Sequence, residues 1–295
     1  MNFGQMITAM VTPFNDDLEV DFERTEQLIE HLIKSGTDAV VLSGTTGEAP
    51  TLSIDEKNAF FRFCVKIVDG RIPVLAGTGT NSTKAAIELT KMAEIAGAEG
   101  VMLMAPYYNK PNQQGMYEHF KAVATSTVLP VMLYNVPGRT GVNLLPETTI
   151  KLSRIPNIVS IKEASGDLDA MSKIIEETSD DFSVYSGDDS LTLPSLAVGA
   201  NGVVSVSSHV IGDEIKEMIE AVNHGDLPKA SAIHRRLVPI MNTMFIAPSP
   251  APIKAALNMI GVPVGSVRLP IVDLDESERE AIYNQIAYKR FSSAV

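Results

Sequence analysis

Short apolar runs recur about eight times along the chain, and turn residues follow each of them. Segments with the apolar spacing of helices separate the runs. The runs are nearly continuous rather than alternating, which indicates strands covered on both faces, as in a parallel sheet with helices outside. The pattern predicts an α/β fold, a (β/α)8 TIM barrel, with a doubly wound open sheet as the competing architecture. The predicted strands are residues 6–11, 39–42, 74–76, 101–104, 131–134, 158–161, 182–185 and 202–206.

The pattern changes after Gly225. Residues 227–244, 251–259 and 276–291 have helical spacing, and no strand pattern returns. No flexible Gly/Ser linker separates the two parts of the chain. We therefore expect residues 1–225 to form the barrel that carries the active site, and residues 226–295 to form a C-terminal helical extension packed on it.

Charge and cysteine content exclude several classes of function. Lys and Arg number 24 against 36 Asp and Glu, a formal net charge of −12. Such a chain is repelled by phosphate backbones and anionic lipids, so we expect no nucleic-acid or membrane partner. Cys64 is the only cysteine, which excludes an intrachain disulfide and fits a reducing environment. Because no signal peptide or membrane span is recognisable, we expect a cytoplasmic protein.

Polar side chains stand where the predicted strands end, which is the edge of a barrel that carries catalytic groups. Lys162 follows the sixth strand. An unpaired ammonium is costly to bury there and tends to lose its proton, and a neutral amine can form a Schiff base with a carbonyl substrate. The alternative is a lysine paired with Glu163 or with another carboxylate at the rim of the barrel.

Side chains at neighbouring strand ends suit such a reaction. Tyr134, one strand away, could relay protons, although it also fits a core aromatic residue. Thr45 and Thr46 offer hydroxyl and backbone N–H groups to a carboxylate, or they form a plain turn. Arg139 could hold a second carboxylate through two hydrogen bonds, or it is a solvated surface residue.

No motif for a cofactor or a metal ion is present. Residues 77–79 (GTG) lack the third glycine of a dinucleotide-binding loop, and no GxxxxGK[ST] sequence occurs. The five histidines have no ligand spacing. Asp188 and Asp189 are more typical of helix capping than of cation binding. We therefore expect a lysine-dependent reaction without cofactor or metal.

Three motifs resemble the dihydrodipicolinate synthase family, one of the pyruvate-dependent class I aldolases. They are residues 44–48 (GTTGE), 134–140 (YNVPGRT) and 161–164 (IKEA), in this order and at these strand ends. The resemblance covers nearly the whole chain and includes residues 76–79, 106–109, 186–189 and 268–270. It implies a lyase in which pyruvate condenses with Lys162 and the enamine attacks L-aspartate 4-semialdehyde. Cyclisation then gives 4-hydroxy-tetrahydrodipicolinate, the first committed step of diaminopimelate and lysine biosynthesis.

The resemblance also implies roles for individual residues. Lys162 is the Schiff-base lysine. Thr45, Tyr134 and Tyr108 form a proton relay, with Tyr108 reaching into the site of a neighbouring subunit. Activity then needs a homo-oligomer, either a dimer or a tetramer built as a dimer of dimers.

The substrate-binding residues follow from the same resemblance. Arg139 holds the carboxylate of the semialdehyde, and Thr46 contacts the carboxylate of pyruvate. The backbone of Gly187 and Val204 lines the site.

Two alternative functions stand beside this one. N-acetylneuraminate lyase and the keto-deoxy sugar acid aldolases would share Lys162 and Tyr134, but a polyhydroxylated substrate does not need the Thr45-Thr46 and Arg139 carboxylate contacts. A non-catalytic barrel that senses a ligand would be expected to have lost at least one of these residues.

The resemblance also bears on regulation. Members inhibited by lysine typically bind it with a Ser, two His and a Glu. The corresponding positions here hold Ala49, Ile54, Lys57 and Ala85, whereas Asn81 and Tyr107 are kept. This departure predicts weak lysine inhibition.

Overall fold

Eight parallel strands close into a barrel in chain order in the computed structural model, which describes residues 3–292. The first strand pairs with the last, so the predicted barrel is confirmed and the open sheet is wrong. The strands are β1 (Met6–Ala9), β2 (Ala39–Leu42), β3 (Val74–Gly77), β4 (Gly100–Met104), β5 (Val131–Asn135), β6 (Ile158–Glu163), β7 (Ser183–Ser186) and β8 (Gly202–Ser205).

Helices lie between successive strands, and further helices follow the last strand. The first group is α1 (Phe22–Lys34), α2 (Ile54–Val68), α3 (Thr83–Ala96), α4 (Gln113–Ala124), α5 (Pro137–Thr140), α6 (Pro146–Leu152), α7 (Leu168–Glu177) and α8 (Thr192–Ala197). After β8 come α9 (Ser208–Asn223), α10 (Leu227–Thr243), α11 (Ala251–Met259) and α12 (Glu276–Ser292). No helix within residues 3–292 is long and apolar enough to cross a membrane.

The sequence specifies where α2 begins. Ser53 Oγ accepts a hydrogen bond from Glu56 N at 3.1 Å, and the Glu56 carboxylate accepts one from Ser53 N at 2.8 Å. This reciprocal capping box satisfies two backbone N–H groups that the first helical turn leaves free. At α3 the cap is Ser82, whose Oγ accepts from Ala85 N.

Alternation along the strands divides the apolar core in two. On β2, Val41 faces the barrel interior, whereas Val40 and Leu42 pack against the surrounding helices. The same alternation places Tyr134 of β5 inside the barrel. Ile161 of β6 packs outside, so the next residue, Lys162, points inward. Strand pleating therefore fixes which polar side chains reach the mouth of the barrel.

His209 at the start of α9 is fully buried and bonds as a neutral imidazole. Nδ1 lies 2.7 Å from Val206 O, and Nε2 lies 3.2 Å from Val11 N. The backbone N–H of Val11 can only donate, so Nε2 is the acceptor and the ring proton belongs on Nδ1. Burial lowers the pKa of this histidine to about 4.

Acid is expected to destabilise the fold through His209. The unfolded chain protonates this ring near pH 6.5, whereas the folded chain does so only near pH 4. The free energy of unfolding should therefore fall as the pH drops through this window, by up to about 3 kcal/mol. Denaturant titrations at pH 7 and pH 4.5 measure the loss. The variant His209→Gln keeps an acceptor for Val11 N but cannot titrate, and should lose less. An identical loss in both proteins would contradict this.

Candidate active site

Tyr134 and Lys162 lie side by side at the carboxyl ends of β5 and β6. They are register partners, and each is about 5% exposed. The Nζ atom of Lys162 lies 4.5 Å from the centre of the Tyr134 ring. Across residues 3–292 no carboxylate comes within 4.0 Å of this amine. The lysine is therefore buried beside an aromatic ring without a counter-ion.

Glu163 does not pair with Lys162, so the rim ion pair considered from the sequence is wrong. Its carboxylate accepts hydrogen bonds from Asn135 Nδ2 at 3.0 Å and from Ser165 N at 2.7 Å. The cause is strand alternation, because adjacent residues of β6 point to opposite faces. Burial raises the pKa of Glu163. The Lys162 amine consequently stays free to meet a substrate.

Gly187, directly after β7, forms one wall around the Lys162 side chain. A Cβ atom at this position would lie 3.0 Å from Lys162 Cε and 2.6 Å from the Cβ of Ala164. Any larger residue would therefore push the lysine away. Val204 of β8 is buried in the interior of the barrel, in the same apolar cluster as Tyr134. Gly187 therefore borders the Lys162 side chain, and Val204 lies in the barrel interior with Tyr134.

The turn after β2 carries Thr45 and Thr46. Two residues with left-handed backbone bracket it, Ser43 with φ of 51° and Glu48 with φ of 54°. The N–H of Glu48 donates to Thr45 O at 3.1 Å. Thr46 is buried. Left-handed residues other than glycine are uncommon and concentrate at functional sites.

A cavity of about 280 Å³ brings three predicted site residues together: Thr45, Tyr134 and Arg139. Lys162 is not part of its wall and adjoins it through the Tyr134 ring. No hydrogen bond joins Thr45 to Tyr134 within the part of the chain that the structure describes. Most of the lining surface is apolar, as in a site for a small organic ligand with a few polar contacts.

Arg139 reaches this cavity from α5. The residue is exposed, and its guanidinium makes no ion pair with any residue from 3 to 292. An unpaired guanidinium at the cavity can bind a carboxylate through two parallel hydrogen bonds.

Tyr108 lies in the loop after β4 and does not join the other site residues in its own chain. Its backbone is left-handed, with φ of 71°, and the residue is 87% exposed. The preceding residue, Tyr107, lines the cavity, whereas Tyr108 does not. Ser43 and Met104 also belong to the wall of the cavity, and no chemical pattern in the sequence points to either of them. Lys57 of α2 is part of the wall too.

The two aspartates after β7 hold local structure. Asp188 Oδ1 accepts from Ser190 N at 2.9 Å and caps a short 3-10 turn. Asp189 is buried, and its Oδ2 accepts from the backbone N–H groups of Val206 at 3.1 Å and Ser207 at 2.9 Å. In the described residues, no group of three or more His, Cys, Asp or Glu side chains is placed to hold a metal ion.

Residues 2–289 match the dihydrodipicolinate synthetase family. The chain is 58% identical over 287 residues to a 4-hydroxy-tetrahydrodipicolinate synthase of Bacillus velezensis, covering 97% of this chain and 99% of the relative. A Bacillus anthracis dihydrodipicolinate synthase structure is similar, with a TM-score of 0.96, 55% identity and coverage of 97% and 98%. A Cyanidioschyzon merolae structure with lysine bound has a TM-score of 0.95, 48% identity and coverage of 97% of both chains.

Proposed function

The chain belongs to the dihydrodipicolinate synthetase family, and we propose that Lys162 is the residue on which it carries out the reaction of that family. It is a lyase of the class I aldolase type that condenses pyruvate with L-aspartate 4-semialdehyde. The product is 4-hydroxy-tetrahydrodipicolinate, in diaminopimelate and lysine biosynthesis. The relatives described above are synthases, and nothing favours the other pyruvate-dependent aldolases.

The observation that carries this assignment is the Lys162 amine, buried without a counter-ion beside the Tyr134 ring. Its Nζ attacks the keto carbon of pyruvate, and loss of water gives the imine. Loss of a proton from the methyl group then gives an enamine, whose carbon attacks the aldehyde carbon of the semialdehyde. The amino group of the semialdehyde closes the ring by attacking the imine carbon, and Lys162 leaves.

The surrounding residues supply proton transfer and carboxylate binding. Tyr134 and Thr45 line the cavity, where their hydroxyl groups pass protons to and from the intermediates. Thr46 binds the carboxylate of pyruvate, and the backbone of Gly187 and Val204 completes the pyruvate site. Arg139 binds the carboxylate of the semialdehyde.

The assembly and the location of the enzyme are further parts of the proposal. Tyr108 completes the proton relay of a neighbouring subunit, which makes a homo-oligomer the active form, either a dimer or a tetramer built as a dimer of dimers. We place the protein in the cytoplasm, where pyruvate and a reduced Cys64 are expected. We also propose residues 1–225 as the barrel that carries the site and residues 226–295 as the helical region packed on it, of which residues 1–2 and 293–295 lie outside the described residues.

A coupled assay tests the function. The enzyme is supplied with pyruvate and aspartate semialdehyde, and separately with N-acetylneuraminate. Turnover of the first pair alone is the expected result. Cleavage of N-acetylneuraminate without condensation would overturn the assignment to the synthase reaction.

Mixing two inactive variants is expected to restore activity if Tyr108 acts across an interface. Lys162→Ala lacks the nucleophile, and Tyr108→Phe lacks the hydroxyl group. Some mixed dimers then contain one intact site, because each chain supplies what the other lacks. Turnover after verified subunit exchange is the measurement, and mixtures of each variant with itself are the controls. No recovery would show that Tyr108 acts within its own chain.

L-lysine at millimolar concentration is expected to inhibit weakly or not at all. In this chain Ala49 and Lys57 line the cavity beside Tyr107. An ammonium ligand needs a charge-assisted partner, worth about 1.5 to 3 kcal/mol for each hydrogen bond, and Lys57 offers a like charge. Steady-state rates with and without lysine measure the effect. Strong inhibition, with lysine seen at this place in a crystal soak, would contradict the prediction.

A further inference from the structure

A fully buried ion pair joins the turn after β2 to the C-terminal helices. Lys254 Nζ lies 2.8 Å from Glu48 Oε1, and each side chain is only 2% exposed. The same Nζ donates to Ser266 O at 2.7 Å and lies 4.0 Å from the centre of the Phe14 ring. Glu48 Oε2 accepts from Arg268 N at 2.8 Å. Both charges are therefore removed from water and held by fixed partners.

Such a pair is a poor source of stability. Removing two charges from water costs several kcal/mol per ion, and apolar residues of similar volume often stabilise a protein as well or better. Burial lowers the pKa of Lys254 to about 8, against the opposing effect of Glu48. The lysine is also the only charged residue in α11, so the chain carries a charge where an apolar residue would pack.

Glu48 closes the turn that carries Thr45 and Thr46. It adopts the left-handed conformation, its N–H donates to Thr45 O, and the next N–H, of Ala49, donates to Gly44 O at 3.2 Å. The side chain of Glu48 can reach Lys254 only while the turn keeps this shape. The ion pair and the conformation of the turn are thus linked.

A second contact from the C-terminal region supports the same segment. Arg268 Nη1 donates to Thr51 O at 2.9 Å, and the guanidinium pairs with Glu56 in the first turn of α2. The residues following the turn are therefore also held by residues that lie more than 200 positions later in the chain.

We propose that Glu48 and Lys254 are positioning residues for the pyruvate site: through their ion pair the C-terminal helices hold the Thr45-Thr46 turn in the shape that receives the pyruvate carboxylate. This inference rests on the proposed function. Neither residue touches the substrate. Without Lys254, Glu48 Oε1 has no partner among the described residues, and the carboxylate must move toward water, which displaces the turn.

The test compares two variants, each of which removes the lysine from one ion pair that is buried or half-buried. Lys254→Met breaks the pair at the turn. Lys216→Met is the matched control, because Lys216 pairs with Asp38, whose carboxylate binds the N–H groups of Gln5 and Met6 at the opposite end of the barrel. Both variants are assayed below their melting temperatures, and the KM values for pyruvate and for aspartate semialdehyde are measured separately.

Lys254→Met is expected to raise the KM for pyruvate by about tenfold or more and to leave that for the semialdehyde unchanged, since displacements of about 1 Å have such effects. Lys216→Met should leave both constants unchanged. A loss confined to kcat or to melting temperature, or an equal rise in KM in the control, would overturn the inference.

Glu48→Gln tests the role of the ion pair if Lys254→Met does not fold. The glutamine keeps an acceptor for Arg268 N, and Lys254, left without a carboxylate partner, readily loses its proton. Glu48→Gln should raise the KM for pyruvate in the same direction, and an unchanged KM would refute the inference. Borohydride trapping of pyruvate on the wild-type enzyme distinguishes failure of the proposed function from failure of the positioning role. No trapping at all would refute the proposed function, whereas trapping with unchanged constants in the variants refutes only this positioning role.

Discussion

Replacing Arg139 with alanine is expected to lower kcat/KM for aspartate semialdehyde about 30-fold to 1,000-fold, while imine formation with pyruvate survives. This fall corresponds to a loss of about 2 to 4 kcal/mol of transition-state stabilisation. The guanidinium lines the cavity with Thr45 and Tyr134 and makes no ion pair inside residues 3–292. Its loss leaves the semialdehyde carboxylate without a two-pronged partner.

Steady-state rates measure the loss with aspartate semialdehyde, and imine trapping measures whether the reaction with pyruvate survives. Arg154→Ala is the matched control, because Arg154 is an exposed arginine that does not line the cavity. Arg154→Ala should change neither the steady-state rate nor the amount of trapped imine. An equal loss of trapping and turnover in Arg139→Ala would show that Arg139 holds the pyruvate or the structure instead.

Lys162→Ala and Lys162→Arg are both expected to reduce turnover to background. Alanine removes the amine. Arginine keeps a positive charge, but its guanidinium is always protonated in proteins and does not form the imine. The coupled assay measures turnover, and melting temperatures establish that the variants are folded. Substantial turnover in the arginine variant would mean that position 162 contributes charge rather than a nucleophile.

The barrel could be predicted from the sequence because apolar runs report burial on both faces of a strand. The residues at which the strands end could not be predicted in this way. The sixth strand was predicted to stop at residue 161, before two charged residues, but β6 continues to Glu163. Pairing with β5 and β7 on both sides satisfies the backbone through that position. Closure of the barrel, which is a non-local property, decides where hydrogen bonding ends.

The chemical groups of the site were also predictable in part. Strand order predicted Tyr134 at the strand end one strand away from Lys162, and the structure has the two residues side by side. The individual roles remain predictions. The contacts of Lys254 could not be derived, since they depend on how the C-terminal helices pack over the turn after β2. A single charged residue in an otherwise uncharged helix was the available signal.

Borohydride trapping tests the central claim most directly. The enzyme is incubated with pyruvate, reduced, digested and analysed by mass spectrometry. A reduced pyruvyl group on the peptide that contains Lys162, absent in Lys162→Ala, is the predicted result, because only a free lysine amine forms the imine. Labelling that persists in Lys162→Ala, or that falls on another lysine of the wild-type enzyme, would contradict it.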